Sequence, residues 1–389
     1  MKEVEGKFIR PTWAEINLDS IAHNVREVSK ILPPGTGIMA VVKANGYGHG
    51  ALQIAETALQ NGASCLGVAA ADEGIDLREG GITAPILILG HTPTDCVDLI
   101  VSHGLAQTVY SRELLYALHE AAVAANRPAA IHIKVDTGMG RLGFTGLEEA
   151  VEFAKEAQAL EGIVVEGIFT HFATSDEHDS PYAQEQMRRW GALRQRLQDA
   201  GLNIPLQHIS NSAGILQYTE CPGNMVRLGI SMYGYYPSDE VPQRLELRPA
   251  MRFVSHIVHL KEVPAGTKIS YGATYETTAS AKIATIPVGY ADGYSRLLSS
   301  KGEALVRGVR VPVVGRVCMD QLMLDVSAVP GVENGDEVVL YGQQGDDRIR
   351  LEEVAEKIGT ITYEVCCVLG RRVPRKYLQM GKTIQIQTM

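Results

Sequence analysis

Long apolar runs are missing from this chain of 389 residues: no stretch approaches the ~18 consecutive apolar residues that a membrane-crossing helix needs. The opening stretch MKEVEGKFIRPTW also lacks the apolar core of a secretory signal, so a cytoplasmic protein is expected. Cysteine is sparse. The six cysteines (65, 96, 221, 318, 366 and 367) include no C-x-x-C spacing, and a chain this long needs no disulfide framework, so reduced thiols are expected. Basic residues do not dominate either. Thirty-six Lys and Arg against forty-five Asp and Glu leave a net charge of −9, a field that repels phosphate backbones and argues against a nucleic-acid partner. Internal repeats, low-complexity tracts and metal-ligand spacings are absent as well. What remains is ordinary globular usage, 45% apolar and 21% charged. At about 150 residues per domain the length suggests two to three domains.

Across the first 235 or so residues, short apolar runs alternate with amphipathic stretches. The runs are 38–42, 65–69, 85–89, 107–110, 131–135, 165–169, 207–210 and 225–229. Most are continuous rather than alternating, as in strands covered on both faces. Between them, 180–201 reads as a helix. Ser180 can cap it, Pro181 suits its first turn, Gly201 stops it, and Ala183, Met187, Trp190, Leu193 and Leu197 form one apolar stripe. Eight strands with intervening helices favour a (β/α)8 barrel over an open doubly wound sheet. The stretch 236–249, rich in proline and charge, reads as a linker. Beyond it, β-type runs at 253–263, 282–288, 304–314, 321–326 and 337–341 predict a mostly β domain, with 351–358 its one expected helix. The division is 1–243 for the barrel and 244–389 for the β domain.

Three places could carry chemistry. In MAVVKANGYGHG a buried strand ends in Lys43, and barrel active sites lie at the C-terminal ends of strands. A desolvated lysine there has a lowered pKa and can attack a carbonyl to form a Schiff base. The glycines that follow do not match a dinucleotide fingerprint or a P-loop. Next, His132, Lys134 and Asp136 share one strand face, and Arg141 follows through a glycine-rich turn, where a guanidinium could hold a carboxylate. Lys134, a cation on a buried face, needs a partner. Last, His171, the segment HISNSAG with Asn211 and Ser212, and NMVRLGISMYG with Arg227, Gly229 and Ile230 fall at the last three strand ends. Ser212, Gly229 and Ile230 offer a hydroxyl and N–H groups where barrels usually hold phosphate.

With these motifs in view, the chain resembles the alanine racemases. VVKANGYGHG, KVDTGMGRLG, THFATSDE, ISNSAG, MVRLGISMYG, KISYGATY, PVGYADGY, GRVCMDQ and TYEV occur in that family's order, from TWAEINLDSI to RRVPR. The resemblance implies a barrel plus a β domain, assembled as a homodimer with shared active sites, and pyridoxal 5'-phosphate bound covalently to Lys43. It implies interconversion of L- and D-alanine, supplying D-alanine for peptidoglycan, with Tyr271 as the second base, reaching the site from the other subunit. Tyr47, Asn211, Ser212, Gly229, Ile230 and Tyr363 match cofactor contacts, Arg227 the residue facing the pyridine nitrogen, and His171 the one beside the ring. Arg141 and the backbone at Met319 match the substrate-carboxylate contacts. Lys134 stands where some members carry a carbamylated lysine. Asp176, His208, Tyr290, Asp292, Arg296 and Arg316 match residues near the substrate entry. A serine racemase and a barrel-type amino-acid decarboxylase are the alternatives. The decarboxylases face the pyridine nitrogen with an acidic residue, where this chain has Arg227.

Overall fold

A computed structural model of the protein describes residues 10–218 and 223–388, so the readings placed on the first nine residues and on Cys221 lie outside the described residues. Two compact units emerge. One comprises Ser20–Gly46 and Ala51–Arg248; the other comprises the segment through Asp19, Tyr47–Gly50 and Pro249–Met389.

The first unit is the expected barrel. Strands β2 (Gly37–Val41), β3 (Cys65–Val68), β4 (Ile86–Ile88), β5 (Ala106–Val109), β6 (Ala129–Lys134), β7 (Ile163–Phe169), β8 (Leu206–His208) and β9 (Met225–Leu228) close in sequence order. All pairs are parallel, and β9 returns to β2 with Gly37 opposite Met225. The strands read as continuous apolar runs because helices cover them outside and side chains fill the interior. Met39, Cys65, Leu87, Ala106, Phe169 and Met225 form part of that filling. The helix Pro181–Asp199 has the predicted caps: the Ser180 hydroxyl accepts from Ala183 N, and proline occupies its first turn. Ala183, Trp190, Leu193 and Leu197 are buried, and Met187 is half-buried at the stripe's edge.

The second unit is mostly β and differs from the sequence reading in three ways. The strand β1 (Thr12–Asn17) lies in its eight-stranded sheet, antiparallel to β10 (Met251–His256) and parallel to Arg375–Gln379. The segment through Asp19 and Tyr47–Gly50 both group with this unit. The run 253–263 breaks into strands of two different sheets, Met251–His256 and His259–Val263. A second helix, Thr362–Cys367, follows Leu351–Ile358. Its six residues, TYEVCC, are too short to display a helical repeat and too rich in β-branched and aromatic types to suggest one. The hairpin Lys268–Ile269 with Tyr275–Glu276 presents Tyr271 in its connection.

Candidate active site

Lys43 follows β2 at the barrel's C-terminal mouth, half-buried. Immediately after it Ala44, Asn45, Gly46 and Tyr47 all have left-handed backbone, with φ of 52°, 53°, 60° and 47°. Such a run costs L-residues about 1–2 kcal/mol each and persists only where other contacts enforce it. Here Gly46 N donates to Val42 O at 2.7 Å, Ala44 N to Glu73 Oε1 at 2.6 Å, and Ala51 N to Asn45 Oδ1 at 3.0 Å. The turn fixes where the lysine leaves the strand.

On β6 the inward face carries His132 and Lys134, both buried. Lys134 donates to the Val135 carbonyl at 2.8 Å. Burial, with Arg227 and Arg141 adding repulsion, outweighs the attraction of Asp136 and lowers its pKa to about 7. Asp136 is oriented by its own turn, accepting from Gly138 N at 2.8 Å and Arg141 N at 3.1 Å. Burial raises its pKa, but these N–H groups and Lys134 prevail and hold it low. Arg141 itself is exposed.

Arg227, at the mouth end of β9, is 3% exposed. Its Nη1 lies 2.7 Å from His208 Nδ1; its Nη2 reaches His171 Nδ1 at 2.8 Å, Thr170 O at 2.8 Å and Ile209 O at 2.7 Å. Burial pushes His171 well below its usual pKa, and Arg227, Arg141, Lys134 and Lys43 all push the same way. Four basic side chains thus converge on one half-buried imidazole. Nearby, Asn211 caps Ser212–Gln217 by accepting from Gly214 N at 2.8 Å. The Ser212 hydroxyl accepts from Gly229 N at 3.0 Å and Ser231 N at 3.4 Å. Ser231 Oγ is buried without a hydrogen-bond partner. The barrel unit carries Lys43, Lys134, Arg141, His171, Asn211, Ser212, Arg227, Gly229 and Ile230.

Of the remaining candidates, Asp176 belongs to the barrel unit and the others lie in the β unit. Tyr47 and Tyr363 meet edge-on, ring centres 6.2 Å apart, and burial raises the Tyr47 pKa, with Tyr363 adding to it. Met319 is 53% exposed on a loop tied down from behind: Ala291 N donates to Met319 O at 3.1 Å and Tyr290 N to Cys318 O at 3.0 Å. Behind that loop Asp292, fully buried, accepts from Gly289 N at 2.9 Å, from Arg372 at 2.7 Å and from Arg10. Arg372 also reaches Asp320 at 2.6 Å. Tyr271 is 73% exposed. Arg296 opens a short 3-10 turn, Arg316 is half-buried, and the Asp176 carbonyl accepts from Ser238. Sequence reasoning assigned no role to Glu166, Arg10 or Arg372, the last inside the quoted RRVPR, because their partners lie far away in the chain.

Comparison with known proteins agrees with this geometry. The family described as alanine racemase, N-terminal domain, matches residues 16–237, and alanine racemase, C-terminal domain, matches 250–377. The protein called alanine racemase 2 of Caldanaerobacter subterraneus subsp. tengcongensis is 49% identical, covering 97% of this chain and 98% of its own. The solved alanine racemase of Clostridium difficile 630 superimposes with a TM-score of 0.94 at 43% identity, covering 98% of this chain and 99% of its own. A histidine racemase from Leuconostoc mesenteroides subsp. sake superimposes with a TM-score of 0.89 at 29% identity, covering 96% and 99%.

Proposed function

The chain belongs to the alanine racemase family of pyridoxal-phosphate enzymes, and from that premise we propose that it interconverts L- and D-alanine with Lys43 and Tyr271 as its two bases. The observation that carries the reading is the excess of basic side chains at the barrel mouth. Lys43, Lys134, Arg141 and Arg227 all act on His171, with Asp136 the carboxylate opposing Lys134. Such a set suits an anionic group that also offers a carbonyl to an amine, and the orphaned Ser231 hydroxyl beside the Ser212–Gly229 contact suits a phosphate. Those are the features of pyridoxal 5'-phosphate. Lys43 would hold its aldehyde carbon, Asn211, Ser212, Gly229, Ile230, Tyr47 and Tyr363 its phosphate end, and Arg227 its ring nitrogen, with His171 beside the ring.

When bound, that group supplies an electron sink that acidifies the α-proton of an amino acid. The protein must then hold the substrate and move one proton on each face. Arg141, with the backbone at Met319, binds the substrate carboxylate. Lys43 takes or returns the proton on one face and Tyr271 on the other. Arg227 only donates hydrogen bonds and does not give up its proton, so facing the ring nitrogen it would donate to it without protonating it, and the sink would be moderate. That favours returning the proton over side transamination, and it separates this site from decarboxylases with an acidic partner there.

The exposure of Tyr271 and Met319 in a single chain supports a homodimer in which each β unit completes the other copy's barrel site. Among the described residues no helix is long and apolar enough to cross a membrane, and the five described cysteines are free thiols. We place the enzyme in the cytosol, supplying D-alanine for peptidoglycan. The likeness to a histidine racemase keeps a second reading in view, another amino acid as substrate. Circular dichroism of both enantiomers of alanine, serine and histidine, with purified protein and pyridoxal phosphate, tests both. Loss of signal from the alanine pair fastest supports the proposal; inert alanine with a reacting alternative overturns it.

A further inference from the structure

Beneath Arg227 two buried histidines continue into the barrel. His208 Nε2 lies 2.9 Å from His132 Nδ1, and His132 Nε2 faces Glu166 Oε2 at 3.9 Å, an ion-pair rather than a hydrogen-bond distance. Donor chemistry orders this chain. A guanidinium only donates, so Nδ1 of His208 must accept and the neutral ring carries its proton on Nε2. That proton is donated to His132 Nδ1, which leaves the His132 proton on Nε2, pointing at the carboxylate. Burial lowers both histidines, Arg227 adding to it, which keeps the rings neutral even though Glu166 pulls His132 the other way.

The local structure is built around this arrangement. Arg227, His208, His132 and Glu166 come from β9, β8, β6 and β7. Between β6 and β7 the register shifts: Ile131 pairs with Val165 and His132 with Gly167, so Glu166 is the extra residue of a bulge, a device that re-aims a side chain. A Cβ on Gly167 would stand 2.3 Å from His132 Nδ1, so only glycine leaves room for the ring. Phe169 stacks on His208 at 4.6 Å and 5° and lies 5.2 Å from the Arg227 guanidinium, closing the chain's side.

We propose that His132 and Glu166 are positioning residues for Arg227: a group that always donates at one end and one that always accepts at the other leave a single proton arrangement for the two imidazoles between them, and so fix the guanidinium's plane. Its effect on the ring nitrogen rests on the function proposed above; the proton arrangement does not. Nitrogen-15 NMR of histidine-labelled protein, with and without pyridoxal phosphate, reads it directly, with His132→Gln and His208→Gln assigning the signals. Both rings should be neutral with the proton on Nε2 in either state. Glu166→Gln retains an acceptor and should preserve this. Glu166→Lys presents only donors, so a donor at each end leaves no arrangement that satisfies every contact; the single tautomer pair should give way to a mixture, with a shift in the absorbance of the bound cofactor and a several-fold lower kcat at nearly unchanged KM. A wild-type proton on Nδ1 of either ring, or a Glu166→Lys variant with both tautomers and the absorbance unchanged, overturns the proposal. Failure of the racemase reading would appear separately, in the dichroism assay.

Discussion

The amine of Lys134 stands 5.3 Å from the centre of the Phe169 ring, and its hydrogen bond goes to a backbone carbonyl rather than to a carboxylate. A cation so placed is poorly compensated, and burial brings its pKa to about 7, against 10.5 for an ordinary lysine. Near neutral pH much of it is therefore the free amine, which can add to carbon dioxide and lose a proton to give a carbamate anion. That converts an awkward cation into an anion that can attract Arg141 and Arg227. With carbon-13 bicarbonate at pH 8, one carbamate carbon resonance should appear, fade as the pH falls below about 7 and the amine is protonated, and vanish in Lys134→Arg. A resonance that survives Lys134→Arg would assign the chemistry elsewhere.

Lys43 leaves its strand into four left-handed residues, a strained exit held by Glu73, Asn45 and Gly46. If this geometry presents the amine to the cofactor, borohydride reduction followed by peptide mapping should find the pyridoxyl group on Lys43. Recovery on Lys134, the other amine at this mouth, would overturn the assignment.

Arg227 is tied by Nη1 and Nη2 to His208, His171 and two carbonyls. Arg227→Glu would allow a protonated ring nitrogen, strengthening the electron sink. Transamination relative to racemisation should rise. A ratio of products does not depend on how much variant folds. An unchanged ratio removes the role.

Much of this was legible in the sequence, for identifiable reasons. Strands buried on both faces advertise themselves as continuous apolar runs, so all eight barrel strands were visible, and the strand-end positions of Lys43, His171, Ser212 and Arg227 came with them. Pairing across long sequence separations is not legible. The partners of strand Thr12–Asn17 begin at Ser255 and Arg375, so nothing local announces that it belongs to the β unit. The left-handed turn was hidden because Ala44 and Tyr47 have no preference for that conformation; Asn45 and Gly46 alone hint at it. Glu166 looks like an ordinary surface glutamate until the β6–β7 register shift turns it toward His132.

If Lys43 and Tyr271 act on a shared site from different chains, two inactive proteins should rescue each other. A mixture of Lys43→Ala and Tyr271→Phe chains should regain activity, because each mixed dimer has one site with both bases and one with neither. At equal mixing and free exchange about half the dimers are mixed, so about a quarter of wild-type activity is expected per total site. Demonstrated exchange without recovery would place both residues in one chain's site.

The two bases should not be equivalent. On the proposed two-base reading Lys43 would face the α-proton of D-alanine and Tyr271 that of L-alanine. Tyr271→Phe removes the ionisable oxygen and keeps the ring, and at 73% exposure the change disturbs little packing within the chain. Racemisation must fall in both directions alike, because the equilibrium constant between enantiomers is one and a catalyst cannot shift it. The asymmetry belongs to exchange of the α-proton with deuterated solvent, where D-alanine can still exchange through Lys43 alone. Loss of a positioned general base typically costs roughly 10²–10⁴-fold, and that loss should fall on L-alanine exchange while D-alanine exchange is largely retained. Proton NMR of each enantiomer in deuterium oxide with the variant measures both rates in one experiment. Equal loss for the two enantiomers would mean that a single base serves both faces, and the two-base assignment would fall.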